Sequence, residues 1–406
     1  MFRVLRRARV LVAAAVLLGL GLPVPASAAP RERSAAAGCP AAGRIDKTLK
    51  NGARWQMCWD VDRNTGVVLS DVTYTPLRGT PTRVLKSASL AEVHVPYDSG
   101  RPRFYDVSAI GFGDLEQGTL TELGKKDCPT GRLGSFRDTA VLCSEEQPRP
   151  FAYKSAVEKG VLHGSDLTVF SVSEIGWYDY IIEWRFADDG TISPRAGATG
   201  SLSPFQFSDA SRGWPTGVGS TRFSENHTHN VFWRMDFDVD GEKKNTVEQY
   251  DFPGSGTAKR TTKRAVLSRE TAADIAPSRF WRVLNPTAEN ADGHPKSWEI
   301  DNHESDQYRG PDHTEDFTHH DMYFTQYRTC ERLAYGNTAN AYGTGASGCA
   351  ASVDKYTDGE KLTDPVAWVS VDFHHVPRDE DEDPMPTHWQ GFRIVPRDVT
   401  ATSRLP

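Results

Sequence analysis

From about Arg54 onward, apolar and polar residues alternate in short runs separated by Gly, Pro, Asn and Asp. The segments "TGVVLSDVTYT" (65–75), "YIIEWRFADDGTI" (180–192) and "DPVAWVSVDFHHV" (364–376) are examples. A period of two places successive side chains on opposite faces of a strand, so these runs predict strands and the breakers predict turns. Helical periodicity is scarce; "SRETAADIA" (268–276) is the one short stretch that predicts a helix. There are no internal repeats and no linker long enough to separate one domain from another. Many short strands with turns between them predict an all-β chain, a large β-sandwich with few short helices.

One run carries more than a fold signal. In "HTHNVFWRMDFDVDG" (227–241), His227, His229, Val231, Trp233, Met235, Phe237 and Val239 fall on odd positions. Thr228, Asn230, Arg234, Asp236, Asp238 and Asp240 fall on even ones, with Phe232 the exception. The parity predicts one long strand with both histidines on its buried face and the acids on a wet face. In the 364–376 run, Ala367, Val369, Val371, Phe373 and His375 share a face, and Asp364 and Asp372 lie on the other. His227, His229 and His375 are therefore a candidate three-imidazole metal site built from two strands. Neutral imidazoles suit copper, zinc, iron or nickel, and spacing alone does not choose among them. A zinc hydrolase with a bound water uses the same donors. In "SEIGWYDYIIEWRF" (173–186), Tyr178, Tyr180, Ile182, Trp184 and Phe186 share the apolar face.

Composition narrows the class. The 406 residues are 38% hydrophobic and 25% charged, with a formal net charge of -7. That gives no basic patch for nucleic acid and no polybasic membrane anchor. Residues 1–29, with a basic start, an apolar run and an Ala-Ser-Ala triplet at 26–28, predict a secretory signal peptide. The Arg6-Arg7 pair admits a twin-arginine signal. No later apolar run is long enough to span a bilayer. The expected product is secreted, with residues 30–50 a leader segment and 51–406 one domain. Six cysteines suit an oxidising compartment, and the simplest pairing is local: Cys39–Cys58, Cys128–Cys143 and Cys330–Cys349.

Five segments taken in order resemble the catalytic domain of the copper-containing amine oxidases. They are the His-x-His with the following Arg-x-Asp (227–236), "HHVPRDEDEDPMP" (374–386), "GWYDYIIEW" (176–184), "FWRVLNPTAENADGHPKSWEI" (280–300) and "HHDMYFTQYRTCERLAYGN" (319–337). The resemblance runs from about residue 55 to 399, and the smaller domains that precede the catalytic one in many members have no counterpart here. It implies that His227, His229 and His375 hold copper and that Tyr178 is converted by copper and dioxygen to topaquinone. It also implies that Tyr97 in "EVHVPYDSG" hydrogen-bonds that cofactor, and that Cys128–Cys143 is the family's intradomain disulfide. Calcium would be held by Asp236, Asp238 and Asp364 with the carbonyls of Phe237 and Pro365, an oxygen-only set that suits this ion. The implied reaction is oxidative deamination of a primary amine with dioxygen to aldehyde, ammonia and hydrogen peroxide, in a homodimer.

Two positions depart from the family. Trp177 stands where the family has an asparagine before the cofactor tyrosine. Gly111 in "AIGFGDLEQG" stands where the family has its catalytic aspartate, with Asp114 as the candidate replacement and Asp106 a second. Removing the substrate's α-proton needs a positioned carboxylate. Two other readings use the same residues: a copper oxidase working through an unmodified Tyr178, and a non-enzymatic or zinc-holding relative. Phe104, Tyr105 and Phe112 suit either a substrate channel or core packing.

Overall fold

Among the described residues, the alternation closes into two large antiparallel sheets and a separate two-stranded ribbon, Gly213–Thr216 with Arg222–Glu225. The computed structural model describes residues 38–403 apart from 158, 204–210, 217–218, 220–221, 242–244, 255, 258, 312–314 and 338–348. The expected signal peptide lies outside the described residues. The first sheet has nine strands. Its order is Arg44–Thr48, Arg54–Asp62, Gly66–Thr75, Thr82–Pro96, His227–Phe237, Pro365–His375, Met322–Gln326 and Thr271–Ala273, with Arg103–Tyr105 beside Thr82–Pro96. The second has eleven, and its middle holds Ile192–Gly200, Tyr178–Ala187, Gly160–Ile175 and Thr139–Ser155 in that order. Among the described residues, helix is confined to short turns, and no helix is long and apolar enough to cross a membrane.

The sheets pack through large aromatics. Trp184 of the second sheet meets Trp233 of the first edge-on at 5.0 Å, and Trp55 packs on Phe186 at 5.1 Å. Trp55 and Tyr74 have their polar atoms satisfied across the same gap, whereas Trp184 Nε1 and Trp233 Nε1 are buried without a hydrogen-bond partner. Trp55 Nε1 donates to the Ala187 carbonyl at 2.9 Å and the Tyr74 hydroxyl to the Asp188 carbonyl at 3.0 Å. A buried ring N–H or O–H is favoured by a partner, and for Trp55 and Tyr74 the backbone carbonyls of Ala187 and Asp188 supply it. All three locally paired disulfides are present.

Three local expectations change. Arg44–Thr48, inside the segment expected to be a leader, pairs with Arg54–Cys58, and Cys39 is tied to Cys58. Its short alternation buries Ile45, and Gly52 takes the positive φ (92°) that the turn needs. The expected helix near 270 is instead a three-residue edge strand, Thr271–Ala273, paired with Met322–Phe324. Edge pairing overrides the weak helix preference of two alanines. The third change matters most. Both faces of His227–Phe237 are buried, and Asp236 and Asp238 are 1% and 0% exposed. A second apolar cluster of Ala91, Phe232, Phe317, Tyr323, Tyr356 and Trp368 covers the even face. Phe232, the exception in the alternation, packs on Phe317 at 5.4 Å. What looked like a wet face is the floor of another layer.

Candidate active site

Register brings the three histidines together. His227 opens its strand directly opposite His375, the last residue of Pro365–His375, and His229 follows two residues on, on the same face. All three are buried. The outer nitrogen of each ring is committed. His227 Nδ1 lies 3.1 Å from the Glu225 carbonyl, His375 Nε2 lies 3.0 Å from Asp381 Oδ2, and His229 Nδ1 lies 3.2 Å from the Tyr180 hydroxyl. A carbonyl and a carboxylate only accept, so His227 Nδ1–H and His375 Nε2–H donate. That leaves the lone pairs of His227 Nε2 and His375 Nδ1 facing inward. His229 Nε2 is buried without a hydrogen-bond partner.

Ligand atoms of the three rings lie within 4.8 Å of one another. Burial holds all three imidazoles neutral: His227 well below its ordinary value, His229 pushed down to about 3 and His375 to about 4. Three neutral imidazoles with converging lone pairs and one orphaned buried nitrogen fit a divalent transition metal, copper or zinc by donor chemistry alone.

Tyr178 meets this cluster from the facing sheet. Gly176 and Trp177 form a two-residue connection between paired Ile175 and Tyr178, and Gly176 takes φ 65° at its first position. The tight turn starts the next strand at Tyr178 and points its ring inward. The Tyr178 hydroxyl lies 2.8 Å from His227 Nε2 and 3.3 Å from His375 Nδ1, so it occupies the inner face of the histidine set. Burial raises its pKa well above the ordinary value. Tyr97 also belongs to the site, stacked on His227 with centroids 4.7 Å apart. Its hydroxyl has Ser203 and Trp177 as neighbours.

Beside Tyr178 is a cavity of about 50 Å³ lined by Tyr97, Phe104, Asp106, Ile110, Trp177 and Tyr180, among others. Asp106 brings the carboxylate to this wall, and Tyr180 donates to its Oδ2 at 3.1 Å. Burial pushes Asp106 up to about 7. Of the aromatic residues suspected at a channel, Phe104 reaches the cavity. Phe112 packs under Tyr180 at 5.3 Å, and the Tyr105 hydroxyl bonds Glu315 at 2.6 Å.

Asp114, the first sequence candidate for a base, is elsewhere. It lines a separate cavity with Val61, Arg63 and Phe136. Its Oδ2 pairs with Arg63 at 2.6 Å, and its Oδ1 accepts the backbone N–H groups of Glu116 and Gln117. Those bonds outweigh its burial and hold its pKa below the ordinary value. It is a turn-forming residue.

Asp381 is the functional residue that strand parity missed, because it follows the strand in a 3-10 turn, Asp379–Asp381. Its Oδ2 holds His375 and its Oδ1 accepts from His388 at 2.9 Å. Losing such an outer partner typically costs about 10–100-fold in metal affinity. Asp381→Asn is accordingly expected to lose its bound metal to a competing chelator at 10–100-fold lower chelator activity than the parent; an unchanged competition curve would contradict this role.

The buried acids of the even face form a second group. Burial pushes Asp236 up to about 6, with Arg234 opposing and Asp364 and Asp238 adding to the rise. Asp238 Oδ2 lies 2.7 Å from Arg83 Nε.

Three inward imidazoles with a tyrosine against them, held between the sheets of a β-sandwich, make a candidate transition-metal centre. The copper amine oxidase enzyme domain matches residues 45–403, and the chain belongs to that family. It is 28% identical over 396 residues to the primary amine oxidase of Klebsiella aerogenes, covering 84% of this chain and 51% of that protein. It is 26% identical over 380 residues to the histamine oxidase of Arthrobacter globiformis, covering 85% and 54%. The chain thus spans about half the length of these curated relatives. Its fold is that of the copper-containing benzylamine oxidase of Hansenula polymorpha, with a TM-score of 0.73 at 21% identity over 89% of this chain and 62% of that one.

Proposed function

We propose that this chain is an exported copper-dependent oxidase of primary amines, working through topaquinone made from Tyr178. One amine, one dioxygen and one water would give an aldehyde, ammonia and hydrogen peroxide. The observation that carries this reading is the Tyr178 hydroxyl set against the inward lone pairs of His227 and His375. Copper and the quinone, when present, supply the two-electron chemistry. The chain supplies the rest. His227, His229 and His375 would hold the metal, and the Glu225 carbonyl, Tyr180 and Asp381 fix their ring orientations. The apolar walls Phe104, Ile110 and Trp177 keep bulk water from the ring of Tyr178. Family membership favours copper over zinc at these donors. The test is labelling of copper-loaded protein with phenylhydrazine, where this reading expects a coloured adduct at Tyr178. Copper-replete protein that takes no label would favour a copper oxidase using unmodified Tyr178.

Calcium belongs to the same proposal. Asp236, Asp238 and Asp364, with the carbonyls of Phe237 and Pro365, offer oxygen ligands in a buried patch where Asp364 and Asp238 add to the rise that burial causes at Asp236. A cation there would relieve that repulsion. Calcium is expected to raise the melting temperature relative to chelator, and Asp238→Ala to abolish the difference; identical melting temperatures in the parent would exclude the site. Export is supported by three disulfides, which persist outside the cytosol. A homodimer follows from the family resemblance and is checked by sedimentation.

A further inference from the structure

The base that the family keeps in place is absent at Gly111, and the fold explains both why and what stands in for it. Residues Asp106–Ile110 form a single π-helical turn, closed by the Gly111 N–H donating to the Asp106 carbonyl at 2.8 Å. This i→i+5 closure places Asp106 one turn from Gly111 in space although they are five positions apart in sequence. Such π turns are rare. Gly111 ends the turn with φ 95°, a conformation that an L-aspartate rarely adopts. An acid at 111 would therefore be strained.

The turn is held from below. Glu92, fully buried on the Thr82–Pro96 strand, accepts the N–H groups of Val107 and Val93 at Oε1, each at 2.9 Å, and that of Ser108 at Oε2 at 3.3 Å. Asn64 Nδ2 adds a bond to the Val107 carbonyl at 3.3 Å. A buried carboxylate satisfied by three backbone donors is a rigid clamp, and Val107 and Ser108 are the residues that follow Asp106. The side chain of Asp106 is thereby fixed against the cavity it shares with Tyr178, with Tyr180 hydrogen-bonded to one of its oxygens.

We propose that Asp106 is the proton acceptor of this enzyme, displaced from the position its family uses and held in place by the π turn that Glu92 grips. This rests on the amine oxidase reading above. In the step assigned to it, the α-carbon–hydrogen bond of the bound amine breaks and the proton goes to the free oxygen of Asp106. The electron pair of that bond would pass to the two-electron oxidant that a quinone made from Tyr178 would supply. Asp114, tied to Arg63 in another cavity, takes no part.

The experiment compares Asp106→Asn, Asp106→Glu and Asp114→Asn in copper-loaded enzyme. Three quantities are read: copper per chain, phenylhydrazine label per chain, and steady-state kinetics with methylamine, ethylamine and benzylamine. General-base removal typically costs about 10²–10⁴-fold. Asp106→Asn is expected to lose kcat by that factor while copper and label stay at parental levels, which shows that the site is folded and the cofactor made. Asp106→Glu is expected to recover some of the loss, and Asp114→Asn to keep parental kcat. Full turnover in a labelled Asp106→Asn enzyme would overturn this assignment alone. A labelled Asp106→Glu enzyme no better than Asp106→Asn would reduce Asp106 to a packing role and overturn it too. Parent enzyme that binds copper yet takes no label would overturn the amine oxidase reading, and this step with it.

Discussion

Replacing His229 by alanine will remove copper from the protein and leave the chain folded. The loss of metal follows from the donor count. Three imidazoles converge, His229 supplies one, and the described residues place no other histidine in that group. An outer-sphere partner is already worth about 10–100-fold in affinity, and a direct ligand is worth more. Copper should fall from about one per chain to background. The retention of the fold follows from the state of the imidazole without metal. Its Nε2 is buried and unpartnered, and burial drives its pKa down to about 3. An orphaned buried nitrogen costs about 1–3 kcal/mol. Removing it relieves that cost while creating a cavity, so the metal-free melting temperature should change little. Elemental analysis and thermal unfolding of the metal-free forms check both halves. Stoichiometric copper in the variant would show that the ion sits elsewhere.

The second large effect is at Tyr178. Tyr178→Phe keeps the three imidazoles, their outer partners and the ring packing against Tyr180 at 5.7 Å. Copper should therefore stay near one per chain. What is lost is the hydroxyl that lies 2.8 Å from His227 Nε2, and with it the starting point of ring oxidation. Turnover should drop to the limit of detection and phenylhydrazine should no longer label the protein. A phenylalanine enzyme that still oxidises amines would place the redox centre away from this ring.

Much of the site was legible because strand parity is a strong constraint. His227, His229 and His375 share odd positions on two strands, and a register fixed by burial puts His227 opposite His375. Tyr178 was legible for a related reason, since its even parity with Trp184 and Phe186 faces it into the same core. The local pairing of cysteines was legible because each pair closes a short loop.

Parity failed where it met a third layer. Alternation distinguishes two faces but not what covers them, so the acids at 236 and 238 read as solvated although Phe232 and Trp368 on the same faces lie under Phe317 and Tyr356. Phe232 was the signal, a large apolar residue out of phase. Asp106 stood second to Asp114 among the candidate bases for a different reason. Nothing in the sequence shows which of the two reaches the site, and a π turn makes a residue five positions away a neighbour in space. No period of two or 3.6 announces such a turn. Glu92 was hidden within an apolar strand and is recognisable only once its three backbone donors are in place.

The central claim is that the ring of Tyr178 becomes the cofactor, and one measurement addresses it directly. Metal-free protein is loaded with copper in air, digested, and the peptide carrying Tyr178 is weighed against the same peptide from protein kept without copper. This account predicts that the copper-treated peptide gains the oxygens of a topaquinone at Tyr178 and that the copper-free one has the mass of an ordinary tyrosine. Equal masses in protein shown to hold one copper per chain would contradict it.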